Sequence, residues 1–195
     1  MQKCKMIMDM QGYWAVGSGK GGGSEVDNRI DRDSDGLPYI PGKMLKGVIK
    51  DACLHLKACG NANYNFVDVV FGTATEGDGL NRTLTSQGKI YISDARLSVA
   101  LRSALSQNEA ARQNLTRNIY STAIDDSTGT AKEGSLRGIE VAVPMRLESH
   151  IECDCSEAEM EFIKTATQKL VNSIGAHKTR GLGEVVFSFE NEVSA

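Results

Sequence analysis

The sequence has no long apolar run: nothing in its 195 residues approaches the ~18 consecutive apolar residues of a membrane span. The start, MQKCKMIMDMQ, has no apolar signal core and no small-residue cleavage site, so secretion is not expected. There are five cysteines, an odd number, which argues against a disulfide framework and for reduced thiols in a cytoplasmic protein. Cys153 and Cys155 form a C-x-C, but no second pair has matching spacing for zinc. They are expected to be small buried or edge residues. A basic surplus is also missing. The net charge is −3 and the pI about 5.7, so the general electrostatic footprint of a nucleic-acid binder is absent and any such function must use local patches. Histidine is scarce as well: of His55, His150 and His177 none sits in the first loop, and His55 has no carboxylate or nucleophile patterned with it. His55 is expected to be partly exposed or to cap its helix.

What is present is a long polar stretch from Gly17 to Lys50. It opens on glycines, passes through alternating acidic and basic residues, tightens at Pro38-Tyr39-Ile40-Pro41-Gly42 and launches a helix from Lys43. Polar loops of this size are uncommon in compact domains unless they act. Lys43, Lys46 and Lys50 lie at helical spacing on roughly one face. Free amides at a helix start beside lysines suit a phosphate. This is the expected meeting place with a polyanion. Gly17 to Gly22 also fits G-x-G-x-x-G, the dinucleotide pattern of a nucleotide-binding enzyme. The helix that this motif needs does not follow directly, and no Ser or Thr follows Lys20 as a phosphate-binding loop would require.

Along the chain, residues 3–16 alternate as a half-buried strand. Residues 43–58 form an amphipathic helix with Leu45, Val48, Ile49, Ala52 and Leu56 inward, ended by Gly60-Asn61. Residues 64–72 are a short helix or strand, 73–88 a loop, 89–97 a strand and 99–118 a helix. A hairpin tip is expected within 119–137, with its turn at Asp125-Asp126-Ser127-Thr128-Gly129. Residues 138–153 are extended, with Pro144 at an edge or bulge. Ser156 caps a helix to about Ser173, Glu159 completes a capping box, and Met160, Ile163, Ala166, Thr167 and Leu170 face inward. A second glycine-rich loop, Gly175 to Gly183, carries His177, Lys178 and Arg180 before a last strand over 184–190. The order is the split βαβ of an α+β, ferredoxin-like (RRM-like) βαββαβ core with loop and hairpin insertions. One face of such a sheet stays open, and RNA is a frequent ligand there, although the usual aromatic platform is not evident on the central strands.

The stretches PYIPGKMLKG, ISDARL, LRGIEVAVP and IGAHKTRGLGEV together resemble the RAMP superfamily of CRISPR effector proteins, and among them the backbone subunits of type III complexes. Gly22 to Asn28, Asp33, Gly36 to Gly42 and Leu45-Lys46-Gly47 match that family's first loop. Ala123 to Ala131, ending at Arg137, looks like its thumb hairpin. The resemblance implies a single domain over residues 1–195 with a thumb inserted at roughly 98–137. It implies a guide-RNA-binding subunit of a complex that cleaves complementary target RNA through a loop aspartate. Asp27 falls at that aspartate, with Mg²⁺ or another divalent cation as cofactor and no organic cofactor. Gly42, Lys43, Lys46, Gly47 and Lys50 fall on the helix beside the guide backbone. Arg137 closes the thumb, and His177, Lys178, Arg180, Gly181 and Gly183 fall on the glycine-rich loop. The implied partners are the CRISPR guide RNA, the target RNA, other RAMP subunits and the large subunit of the complex. Two alternatives stay open: a non-cleaving structural RNA-binding subunit, and a metal-independent endonuclease that processes repeat RNA with a histidine base. Asp31, Asp33 and Asp35 are expected to be solvated loop charges.

Overall fold

A computed structural model describes residues 1–17, 26–60, 66–73 and 86–191. Strand β1 (Gln2–Met10) buries Cys4, Met6, Met8 and Met10 on one face, as the alternation requires. It is shorter than the expected 3–16 because the chain then leaves the sheet. Met10 N–H donates to the Met145 carbonyl and Gln11 N–H to that of Glu184. Trp14 exchanges backbone bonds with Ala142 at 2.8 and 3.1 Å. Its indole, fully buried, donates from Nε1 to the Val143 carbonyl at 3.0 Å, so the one tryptophan locks residues 13–16 to the strand that leads out of the hairpin.

Helix α1 (Gly42–Cys59) follows the first loop and buries Gly42, Leu45, Ile49, Ala52 and Cys53. Val48 and Leu56, expected inward, are only half-buried at the edges of that stripe. Helix α2 (Phe66–Phe71) resolves the helix-or-strand ambiguity of its segment. Strands β2 (Gly72–Thr73) and β3 (Ser86–Gln87) pair at the two ends of the expected 73–88 loop. Asn61 and residues 74–85 lie outside the described residues. Strand β4 (Ile90–Ile92) is a short version of the predicted strand, and Ala95 and Arg96 continue it only as isolated bridges to Ile40 and Glu148.

The single helix expected over 99–118 is two: α3 (Val99–Ser106) and α4 (Glu109–Gln113). Asn108 divides them, because its side chain caps α4 by accepting from Ala111 N–H at 3.0 Å. The hairpin then starts earlier than predicted, with β5 (Thr116–Ser121) paired to β6 (Arg137–Ala142) from Thr116↔Ala142 to Ser121↔Arg137. Its tip is the Asp125 turn, where the carboxylate accepts from Ser127 and Thr128 N–H. Strand β7 (Arg146–Cys153) enters after Pro144. Helix α5 (Glu157–Leu170) shows the capping box at Ser156 and Glu159. It stops at Leu170, short of Ser173, because Val171 is extended, and Leu170 is consequently 44% exposed rather than inward. Strand β8 (Val185–Asn191) closes the sheet.

The main sheet has the order β4-β7-β1-β8 with every neighbour antiparallel. This is the ferredoxin-like α+β arrangement, with α1 and α5 packed together over one face. All five cysteines are free thiols, Cys4, Cys53 and Cys153 being buried. Burial pushes the Cys53 thiol up to about 12 and the Cys153 thiol well above its ordinary value, so both are inert core residues. Among the described residues no helix is long and apolar enough to cross a membrane.

The loop between α5 and β8 is bound to residues 13–15 by backbone bonds from Gly183 N–H to the Tyr13 carbonyl and from Ala176 N–H to that of Ala15. Gly181 and Gly183 both have positive φ, at 79° and 81°. A Cβ on Gly181 would meet nothing, whereas one on Gly183 would lie 1.9 Å from the Ile174 carbonyl oxygen. Gly181→Ala should therefore lose about 1 kcal/mol, and Gly183→Ala at least about twice that, since its backbone must move. Urea titrations of the two variants check the difference.

Candidate functional site

The first loop is not a free appendage. From Val26 onward it runs beside β6. Asp27 N–H donates to the Gly138 carbonyl at 2.8 Å, and Gly138 N–H returns a bond to Asp27 Oδ2 at 3.1 Å. Asn28 bridges Ile139 in parallel. Glu140 N–H donates to the Asn28 carbonyl at 3.0 Å, and the Glu140 carboxylate accepts from Ile30 N–H and from Arg32. Asp27 is thus an exposed carboxylate pinned to the second strand of the hairpin at the tip-side end of the β5–β6 ladder, next to Arg137. Two predicted site residues 110 positions apart in sequence are brought together here. Oδ1 of Asp27 has no hydrogen-bond partner among the described residues.

The other loop acids have different employment. The Asp33 side chain is 1% exposed. Its Oδ1 accepts from Asp35 and Leu37 N–H, both at 3.0 Å, and Oδ2 lies 3.5 Å from Arg102 of α3. That corrects the expectation of a solvated charge, because this carboxylate builds the turn that delivers Leu37 and Ile40 to the core. Asp35 is ion-paired with the same Arg102, and its carbonyl accepts from Arg112 of α4 at 3.4 Å. The signal for this was local: an aspartate two and four residues before the amides that it caps.

At the start of α1, Gly42 fits against the end of β4 so closely that a Cβ would stand 2.1 Å from the Ile92 carbonyl oxygen. Its N–H donates to Asp94 Oδ1 at 2.9 Å. The amide expected to be free for a phosphate is therefore taken by a carboxylate from the ISDARL stretch. Burial works to raise the Asp94 carboxyl, but the Gly42 amide and the Arg96 guanidinium, 3.0 Å from Oδ2, outweigh it and hold it below the usual carboxylate range. Lys46 Nζ donates to the Ile90 carbonyl at 3.1 Å and Lys50 Nζ to that of Gly72 at 2.6 Å. The three lysines share a side of the helix, yet two of their ammonium groups are turned to backbone carbonyls at the β4 edge. Lys43 is exposed, as is Gly47, which has open space where a Cβ would be.

The second glycine-rich loop stands at the same end of the sheet. Lys178–Arg180 form a single 3₁₀ turn between two left-handed residues, His177 at φ 57° and Gly181. His177 is the one non-glycine residue with positive φ among the described residues, a strain found where a ligand or a neighbouring turn requires it. Lys178 lines a cavity with Asp51, His55, Asn172 and Ser173. His55 is exposed on the helix flank and does not cap its end. The sequence could not pair it with Lys178, since the two lie 123 residues apart and only the α1–α5 packing joins them.

The open face of the sheet offers neither an aromatic platform nor free cations among the described residues. Tyr91 is exposed there, but Lys3 pairs with Glu152 at 2.8 Å, Lys5 with Glu148 at 3.0 Å and Arg146 with Glu190 at 3.8 Å. Lys43, Lys178 and Arg180, all exposed, stand instead at the end of the sheet where α1 begins and the Gly175–Gly183 loop turns; residues 18–25 of the first glycine-rich stretch, including most of its G-x-G-x-x-G pattern, lie outside the described residues.

Fold and site define a ferredoxin-like domain with a hairpin insertion, along whose second strand a polar first loop presents an aspartate. The chain belongs to the RAMP superfamily, whose sequence profile matches residues 11–186. Its fold is similar to a chain of the type III-B Cmr-beta complex bound to cognate target RNA, with TM-score 0.74 and 13% identity over 97% of each chain. It is likewise similar to a chain of type III-B Cmr-beta in the apo state, with TM-score 0.71 and 15% identity over 99% of each. A chain of a type IV-B CRISPR complex gives TM-score 0.63 and 15% identity over 99% of this chain and 92% of that one. At these identities the likeness is one of fold. No curated protein sequence matches the chain.

Because the Asp94 carboxyl is lowered in the folded chain, the unfolded chain binds the proton more readily. The stabilisation from Asp94 is complete above the unfolded value of ~3.9 and is lost as pH falls through the lowered folded value. Asp94→Asn should therefore lower stability at neutral pH, and its deficit relative to the parent should shrink below about pH 4. Urea titrations across that range check the sign.

Proposed function

We propose that the chain is a guide-RNA-binding backbone subunit of a type III CRISPR effector complex that cleaves complementary target RNA, with Asp27 at the reacting phosphate. The observation that carries the reading is the reciprocal pair of hydrogen bonds between Asp27 and Gly138. It couples an exposed carboxylate to the second strand of the hairpin, just below the segment that would wedge between neighbouring base pairs. Membership of the RAMP superfamily and a fold shared with type III-B chains, one of them in a complex bound to target RNA, support it.

RNA carries its own nucleophile, the 2′-OH. A protein promotes cleavage by holding the 2′-oxygen, phosphorus and leaving 5′-oxygen in line and by taking up a proton. A hairpin that splays one nucleotide out of a duplex permits that alignment. Asp27 Oδ2 is oriented by the Gly138 amide, which leaves Oδ1 outward as a base or as a ligand. Among the described residues no three acidic, histidine or cysteine side chains converge. A hydrated Mg²⁺ needs only one or two carboxylates beside substrate phosphate oxygens, so Asp27 fits such an ion and would hold it there. The ion would supply charge neutralisation at the phosphate.

Guide phosphates would meet Lys43, the bare face at Gly47, and His177, Lys178 and Arg180, with Gly181 and Gly183 shaping the loop. Arg137 would face the strand kinked by the hairpin. Lys46 and Lys50 would join them on release from the Ile90 and Gly72 carbonyls. The binding would be sequence-independent and salt-dependent. Neighbouring RAMP subunits and the large subunit are the proposed protein partners. The insertion supports this: α3 and α4 bury no residue, and Val99, Leu101, Tyr120, Ile124 and Leu136 stand exposed. The cytoplasm is the proposed place of action. A non-cleaving structural role is the second reading, favoured by Asp27 being a carboxylate that joins no cluster of three or more acidic, histidine or cysteine side chains among the described residues.

Asp27→Ala should abolish target cleavage opposite this subunit, by at least about 100-fold, in the complex assembled with guide RNA and Mg²⁺, while guide retention is unchanged. Cleavage at the parental rate would leave the structural role standing.

A further inference from the structure

Between the middle of α1 and the C-terminal end of α5 lies an open cavity of about 180 Å³, well above what a single water needs. Asp51 and His55 come from α1, one helical turn apart on the same flank. Asn172 and Ser173 follow α5, and Lys178 is set at the rim by the left-handed turn at His177. Val48, Ala52, Leu170 and Val171 supply apolar wall.

Asp51, His55 and Lys178, like the exposed Lys43 and Arg180 nearby, differ from the groups that build the fold in one respect. Asp33 and Asp94 cap amides, and Lys46 and Lys50 bind carbonyls. Among the described residues, the side chains of Asp51, His55 and Lys178 have no hydrogen-bond or ion-pair partner. Asp51 and Lys178 share one cavity and do not pair with each other. An acceptor-only carboxylate and a donor-only ammonium, both unspent, are complementary to a ligand that offers a donor and an anion a few ångströms apart. A simple anion would not call for the carboxylate, and a cation would not call for the lysine. The exposed flank of α1 that leads to the cavity passes Lys43 and the open surface at Gly47.

We infer that this cavity seats one ribose-phosphate unit of a bound RNA strand, with Asp51 accepting from the ribose 2′-OH and Lys178 and His55 donating to the phosphate. The inference rests on the RNA-binding reading above and adds to it a residue that distinguishes RNA from DNA. The 2′-OH is the group through which such a distinction is made, and a carboxylate accepting from a ribose hydroxyl is a familiar way to read it. Ser173 Oγ donates to Asn172 Oδ1 at 3.2 Å, which leaves the Asn172 amide nitrogen as a neutral donor bordering the same sugar-phosphate unit.

The test is binding of the full chain to a single-stranded RNA and to the DNA of identical sequence, at low salt and across a salt series, for the parent, Asp51→Ala and Lys178→Ala. Asp51 is exposed on its helix, so alanine there leaves the core intact. The parent should favour RNA by about tenfold, the value of one hydrogen bond to a charged group. Asp51→Ala should weaken RNA by about that factor, leave DNA unweakened and bring the ratio near one. Lys178→Ala should weaken both strands alike and reduce the salt slope by about 1. Tighter binding of RNA and DNA alike by Asp51→Ala would overturn the inference, because the carboxylate would then act only by repulsion. RNA binding unchanged in both variants would overturn it while leaving the RNA-binding reading in place. A parent that binds no RNA at about 50 mM salt would overturn both.

Discussion

The functional end of this molecule depends on a short run of backbone pairing between residues 27–30 and strand β6. Each such bond contributes only about 1 kcal/mol net. Their effect is geometric, because they join the polar first loop to the hairpin's second strand. Trp14 does the same from the other side, holding residues 13–16 to Ala142 and Val143. Residues 13–15 in turn bind the second glycine-rich loop at Gly183 and Ala176. Four segments distant in sequence are therefore registered through one seam, and motion of the hairpin would be felt at Asp27.

The aspartates show how environment divides the work of one residue type. Asp33 is buried and spends both oxygens on the turn and on Arg102. Asp94 caps α1 and is stabilised in its charged form by Gly42 and Arg96. Asp27 has one oxygen oriented by an amide and one left over. Asp51 stands unspent beside Lys178. Composition treats these four alike. Their roles separate only when the partners of each oxygen are known.

Charge follows the same rule. An acidic chain is a poor general binder of nucleic acid. Here the open sheet face pairs its lysines and arginine with glutamates, while Lys43, Lys178 and Arg180 stay exposed at one end of the sheet. The proposed contact with a polyanion is thereby local, and the remaining surface keeps its sign.

By itself, the sequence determined what short-range physics controls. The alternation of β1, the apolar stripe of α1, the capping box at Ser156 and Glu159 and the turn at Asp125 each have their cause within a few residues, so the ferredoxin-like order of elements could be read directly. The motifs from Gly22 to Gly47 and from Gly175 to Gly183 also showed the superfamily. Tertiary structure alone decided where polar groups found partners. Asn108 split a predicted helix because its cap competed successfully with continuation. Val171 ended α5 before Ser173. Gly42's amide went to Asp94, and the ammonium groups of Lys46 and Lys50 went to carbonyls. The reason is common to all of these: a polar group takes whichever partner the packed elements bring within about 3 Å, and periodicity carries no information about partners tens to more than a hundred residues away.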